Sequence, residues 1–190
     1  MQRVRHVFGE GRPAYLGIDP GKGGGLAGVT EGGALAFSLR MPLRTSGQVD
    51  AVEILKILTE CRRAGMGKLI GGPVVLYLEK AHSMPSQGVR SMFSYGMTYG
   101  MTLAAIEVSE ITYREVMPRA WQKEILGARK KGKGDKSGEL EIALELWPEI
   151  EELGRTKANN GAIDALLIAE YGRRRAIWEA EENIYKKSLD

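Results

Sequence analysis

Hydrophobic and polar positions divide the chain into short apolar runs followed by longer periodic stretches. Ala14 to Ile18 is apolar and closed by Asp19-Pro20-Gly21, which reads as a buried strand entering a turn. Leu26 to Thr30 and Ala34 to Leu39 read as two further strands joined at Glu31-Gly32-Gly33, so the N-terminal part forms a three-stranded antiparallel meander. Gln48 to Arg63 carries Val49, Val52, Leu55 and Leu58 at helical spacing and is expected to be amphipathic. Gly71-Gly72-Pro73 then breaks the chain before Val74 to Leu78, the most strand-like run present, which stops at Glu79. Gln87 to Val108, rich in small and aromatic residues, predicts a closely packed helix.

Ile111 to Val116 reads as another strand, and Pro118 suits the first turn of the helix after it. Lys130 to Gly134 is too polar and glycine-rich for a core and is read as a loop. Helix resumes over Lys136 to Leu146 and over the strongly apolar Asn159 to Tyr171, and a charged helical tail runs from Arg173 to Asp190. Three early strands, then strands alternating with helices, predict one α/β domain over residues 1–190, with a mixed five-stranded sheet flanked by helices and an N-terminal arm over 1–13.

With 190 residues, 43% of them hydrophobic and 27% charged, the chain can bury a core without staples and is not of disordered type. A single cysteine, Cys61, excludes an internal disulfide and fits a reducing compartment, so a cytoplasmic location is expected. No apolar stretch approaches a membrane-spanning length, and no membrane association is expected.

Three acids lie in apolar surroundings. Asp19 and Glu79 each close a buried strand, and Asp164 lies inside the run Ala162 to Ala169. A carboxylate so placed is costly unless it is paired or binds a cation. Singly, Asp19 also reads as part of an ordinary turn and Glu79 as a solvated strand end. Converging, the three make an oxygen-ligand site for Mg²⁺, with Mn²⁺ as a substitute. Two such ions about 4 Å apart can activate water and stabilise the leaving oxygen in phosphodiester cleavage.

The order Leu16-Gly17-Ile18-Asp19-Pro20-Gly21, then Leu76-Tyr77-Leu78-Glu79-Lys80, then Asp164-Ala165-Leu166-Leu167-Ile168-Ala169 resembles the RuvC-type Holliday junction resolvases. The stretch from Glu79 through His82, Gly88 and Phe93 to Gly96 is most similar to the phage members, and the resemblance spans Tyr15 to Gly172. It implies a ribonuclease H-like fold and a homodimeric, Mg²⁺-dependent crossover junction endodeoxyribonuclease acting on four-way DNA junctions in recombination, repair or phage DNA processing. For a phage protein the location becomes the host cytoplasm. By the same resemblance Asp19 bridges two ions, and Glu79 and Asp164 each hold one. Asn160 stands where the family carries a fourth acid or a histidine, one helical turn before Asp164. An amide brings no charge and cannot act as a base. Asn160 can be a natural variant, an Asp→Asn replacement or, next to Gly161, a deamidation site, and it leaves open a chain that binds junctions and cuts them poorly.

Between Arg119 and Lys136 the basic residues Arg119, Lys123, Arg129, Lys130, Lys131, Lys133 and Lys136 face only two acids, Glu124 and Asp135, whereas the whole chain carries a net charge of +3. This segment is the candidate phosphate-binding surface, and its binding should weaken steeply with salt. The compensating acids Glu139, Glu141, Glu145, Glu149, Glu151 and Glu152 are expected on a face turned away from DNA. His82, Arg90, Phe93 and Tyr95 form a second candidate DNA surface, with the aromatics stacking on bases or filling a helix interface. Gly96, Gly100 and Ala104 permit a close helix pair in a two-fold dimer. Gly23 to Gly28 matches a dinucleotide fingerprint, but a strand follows it rather than a helix, so no nucleotide cofactor is expected. The rival readings are a ribonuclease H-like nuclease acting on RNA and a non-catalytic junction-binding protein.

Overall fold

The computed structural model describes Val7–Phe8 and residues 14–66, 74–80, 88–129 and 135–187. Strand β1 (Val7–Phe8) falls within the arm expected over 1–13, and β2 (Tyr15–Asp19), β3 (Gly25–Val29) and β4 (Leu35–Arg40) form the predicted meander. Helix α1 (Ala51–Met66) leads to β5 (Val75–Glu79), and α2 (Val89–Ser109) leads to β6 (Thr112–Val116). Then come α3 (Pro118–Leu126), α4 (Ser137–Leu146), the single turn α5 (Glu151–Gly154) and the long α6 (Asn160–Lys187). The sheet order is β1-β4-β3-β2-β5-β6. Its left half is antiparallel, and β5 and β6 run parallel to β2. The five expected strands are thus present, with β1 added as a two-residue edge. The loop expected over Lys130 to Gly134 lies outside the described residues.

Side chains alternate across the sheet, and this sorts the core into two layers. Leu16, Ile18, Leu26, Leu39, Leu76 and Leu78 pack on one face with Ile54, Leu58 and Ile106 from α1 and α2. Tyr77 points to the other face, where Trp121, Ile125, Ile142, Trp147 and the apolar run of α6 gather. Helix α1 is rotated from the expected phase. Val52 is exposed, and Ile54, Leu58 and Cys61 make the buried stripe. Val49 lies before the helix, in a bridge to Leu43, so it does not set the helical phase.

Helix α6 lies unusually close to the sheet. A Cβ added at Gly17 would come within 2.0 Å of the Ala165 carbonyl oxygen and 2.5 Å of the Ala169 nitrogen. One added at Gly161 would meet the Gly23 carbonyl oxygen at 2.0 Å. Both obstacles are backbone and cannot rotate away. Gly25 serves the same helix-on-strand packing, since an added Cβ there would lie 2.6 Å from the Ala162 Cα. The Ser38 hydroxyl reinforces the seam by donating 3.0 Å to the buried carbonyl of Ala162.

The tail expected from Arg173 is the uninterrupted continuation of α6, with 188–190 outside the described residues. Its first cations are structural. Arg173 Nε and Arg174 Nε donate to the buried Glu170 carboxylate at 2.7 and 2.8 Å. Farther out, Arg114 of β6 ties Glu179 to the sheet edge at 2.9 Å.

Gly17→Ala should force the helix off the strand. The expected loss is about 3 kcal/mol, or roughly 6–12 °C in thermal midpoint for a chain of this length. Gly23→Ala, where an added Cβ has no heavy atom within 4 Å, should leave the midpoint nearly unchanged. Equal midpoints for the two variants in thermal melts would contradict the close seam.

Candidate active site

The same alternation that sorts the core places the acids. Asp19 lies two residues after Gly17 and Glu79 two residues after Tyr77, so both belong to the face covered by α6. In the parallel pairing of β2 with β5, Gly17 faces Tyr77 and Ile18 faces Leu78, which leaves Asp19 and Glu79 side by side at the strand ends. Helix α6 starts above these ends, since Gly161 and Ala162 touch the Gly23–Gly25 turn, and it brings Asp164 close enough that its charge, like that of Asp19, acts on Glu79. Three of the acids singled out from the sequence therefore meet, one each from β2, β5 and α6.

Each of the three carboxylates has a donor from a different group. Asp19 Oδ1 accepts from the Gly21 backbone N–H at 3.1 Å. Glu79 Oε2 accepts from the Trp121 indole N–H at 2.7 Å. Asp164 Oδ2 takes the Lys136 ammonium at 2.7 Å. Asp164 Oδ1 is buried and has no partner. These donors do not offset the cost of burial and mutual repulsion. Burial, ahead of the Gly21 N–H and Lys136 acting the other way, raises the Asp19 pKa. Burial and then the Asp19 charge push Glu79 up to about 7, against the Trp121 hydrogen bond. Burial pushes Asp164 up to about 6, with Lys136 opposing and Asp19 and Glu139 adding to the rise. For Lys136, burial is outweighed by Asp164 and Glu139, which hold its pKa above the ordinary lysine value.

The donor set suits a hard divalent cation: oxygen ligands, excess negative charge and an orphaned buried carboxylate oxygen. Among the described residues, no group of three or more His, Cys, Asp or Glu side chains is already gathered at a point where it could hold a metal ion. The three acids lean on three different donors, with the Lys136 ammonium as the local counter-charge.

The other expected site residues fall into four groups. Asn160 is half-buried at the first position of α6, one turn before Asp164. Arg90, Phe93, Arg119 and Lys123 stand on the surface, Phe93 with 73% of its area exposed. Arg129 is also exposed but is spoken for, paired with Glu145 at 2.5 Å. His82, Lys130, Lys131 and Lys133 lie outside the described residues. The last two, Tyr95 and Lys136, are drawn toward the acids. Tyr95 is half-buried, and burial, then the charges of Asp19 and Glu79, push its phenol up to about 12, so it flanks the acids rather than standing out as a stacking platform. Lys136 is drawn inward onto Asp164 and Glu139 rather than lying with the surface cations.

The sequence reading missed Trp121 and Glu139. Glu139, expected on a face turned away from DNA, is only 6% exposed and shares Lys136 with Asp164. The signal was available: Glu139 precedes Ile142 and Ala143 by three and four residues, so it lies on the apolar face of α4.

No protein-family model matches the chain, and no curated protein matches it. Solved structures do. The chain is similar to the Thermus thermophilus RuvC structure at 20% identity, with a TM-score of 0.53, covering 85% of this chain and 95% of that one. It is also similar to T. thermophilus RuvC in complex with Holliday junction substrate, at 15% identity and a TM-score of 0.56, covering 85% of this chain and 94% of that one. The fold is thus the RuvC-like, ribonuclease H-like one.

The raised acids fix the sign of a pH dependence. Between the usual carboxylate values and about 6–7, the folded chain holds protons on Asp164 and Glu79 that the unfolded chain has released. Without divalent cations, stability should therefore fall as pH rises from 5 to 8. Thermal melts in chelator across this range should show the decline, and Glu79→Gln should flatten it. A metal-free stability that climbs over the same interval would contradict the pocket's electrostatics.

Proposed function

We propose that the chain is a divalent-cation-dependent endonuclease that resolves branched DNA, with the four-way junction as its substrate class. The observation that carries this reading is the meeting of Asp19, Glu79 and Asp164 in one buried, over-charged pocket at the strand ends. Hydrolysis at a polyanion needs such a cluster of hard oxygen ligands, since a phosphodiester cannot approach bare carboxylates. The RuvC-like fold, seen in a neighbour bound to a Holliday junction, supports the substrate class. The phage-like run from Glu79 to Gly96 rests on sequence alone.

In this reading Asp19, Glu79 and Asp164 would hold Mg²⁺, or Mn²⁺ in its place, as the two ions that the resemblance implies. The chemistry such an ion supplies when bound is Lewis-acid activation of the phosphodiester and of the attacking water. The chain's own residues prepare the site. Trp121 fixes one oxygen of Glu79, and the Gly21 N–H fixes one oxygen of Asp19. Lys136 holds Asp164 and tempers repulsion before an ion enters. Tyr95 keeps its proton at neutral pH and adds no charge. In this reading Arg90, Arg119 and Lys123, all exposed, meet phosphates without reading bases.

Helix α2 offers a surface for a second copy. Val89, Met92, Phe93 and Met97 are exposed along it, and the space beside Gly96 and Gly100 is open. An apolar helix face of this kind suits a two-fold homodimer, which would present two pockets to a branched substrate.

Cleavage of labelled four-way junction, linear duplex and RNA–DNA hybrid in Mg²⁺ tests the reading. The junction should be cut in preference to both others, with 5′-phosphate and 3′-hydroxyl ends. Asp19→Asn should lower cutting by about three orders of magnitude or more while junction binding persists or tightens, since a charge that repels phosphate is removed. Hybrid cleavage without junction cleavage would favour the RNA-directed alternative. Tight junction binding with no cutting by the wild-type chain would favour the non-catalytic one.

A further inference from the structure

Asn160 leaves the pocket one charge short of the four-ligand pattern that the resemblance implies. The structure holds a fourth carboxylate that comes from a different element. Glu139, in the first turn of α4, is 6% exposed. The Lys136 ammonium bridges it to Asp164, at 3.3 Å from Glu139 Oε1 and 2.7 Å from Asp164 Oδ2. One ammonium touching both carboxylates puts the two side chains next to each other. Each keeps a second oxygen, Glu139 Oε2 and Asp164 Oδ1, that is buried and has no hydrogen-bond partner among the described residues.

A buried carboxylate oxygen without a donor costs free energy, and two beside a single lysine are not explained by that lysine. A salt bridge built only for stability would need one acid for one ammonium. Here two acids share it, next to two more acids on β2 and β5. Such an arrangement is over-supplied with negative charge until a second cation arrives. Asn160, by contrast, is neutral and only half-buried.

We propose that Glu139 is the fourth acidic group of the cation pocket and supplies from α4 the negative charge that position 160 does not supply from α6. The proposal rests on the metal-dependent reading above and assigns Glu139 to the Asp164 side of the pocket. It also removes the reason to expect a crippled enzyme, because the charge absent at Asn160 is restored from another helix.

The test is direct Mn²⁺ binding, by isothermal titration calorimetry and by the quenching of the free-Mn²⁺ electron paramagnetic resonance signal, on the full chain without DNA. Glu139→Gln should weaken Mn²⁺ binding about tenfold or more. Adding Asn160→Asp to that variant should recover most of the loss, which a merely structural role for Glu139 would not allow. Should Glu139→Gln fail to give a native circular dichroism spectrum, Glu139→Asp carries the test: the shortened carboxylate should also weaken binding, and Asn160→Asp should again recover it. Mn²⁺ affinity unchanged from wild type in a folded Glu139 variant, while Asp19→Asn abolishes binding, overturns the role of Glu139 and leaves the metal pocket standing. A wild-type chain that binds no Mn²⁺ overturns the pocket and Glu139's share in it together.

Discussion

Backbone pressed against backbone, where α6 crosses β2 and the turn into β3, is the contact on which the site depends. With side chains at Gly17 and Gly161, the helix would stand away from the sheet by at least a methyl group's width, and Asp164 would lift with it. The apolar run of α6 then does two jobs. Ile163, Ala165, Leu166 and Ala169 seal one core layer, and the acid among them is carried into a place where solvent cannot neutralise it. Packing energy from the core is what holds three like charges together. In this sense the glycines are as much a part of the site as the carboxylates.

The resulting pocket is frustrated by construction. Burial raises all three acids, and the Glu79 and Asp164 pKa values rise into the range from about 6 to about 7. Protein groups satisfy the acids only partly: an indole N–H for Glu79, one backbone N–H for Asp19, and one ammonium divided between Asp164 and Glu139. The unpaired oxygens of Asp164 and Glu139 show where this compensation stops. A fold that tolerates such a cost stores a preference for added positive charge, which is what a cation-dependent phosphodiesterase requires before its substrate's own negative charge can approach.

Much of this was legible along the chain, because strands and acids advertise themselves locally. Asp19 and Glu79 stood out since each ends an apolar run, and Asp164 since its neighbours have no polar face. The sheet followed from the turn residues between runs. What failed had a common cause: each case turned on which way a face points. Val52 fits a helical stripe, yet Ile54 and Leu58 set the phase once Val49 is taken out of the helix by its bridge to Leu43. Composition groups Glu139 with its acidic neighbours, although its spacing to Ile142 and Ala143 puts it on the buried side of α4. Lys136 belongs by sequence to a basic run, and only the tertiary fold shows that two acids claim it. Trp121 had no visible polar task until Glu79 came within reach of its indole.

The most direct measurement is an anomalous difference map from crystals of the wild-type chain grown or soaked in Mn²⁺. The expected map has its strongest peak at the strand ends, within ligand distance of carboxylate oxygens from Asp19, Glu79 and Asp164. A fully soaked crystal with no peak there, and with the three carboxylates still turned to Gly21, Trp121 and Lys136, would contradict a shared cation pocket.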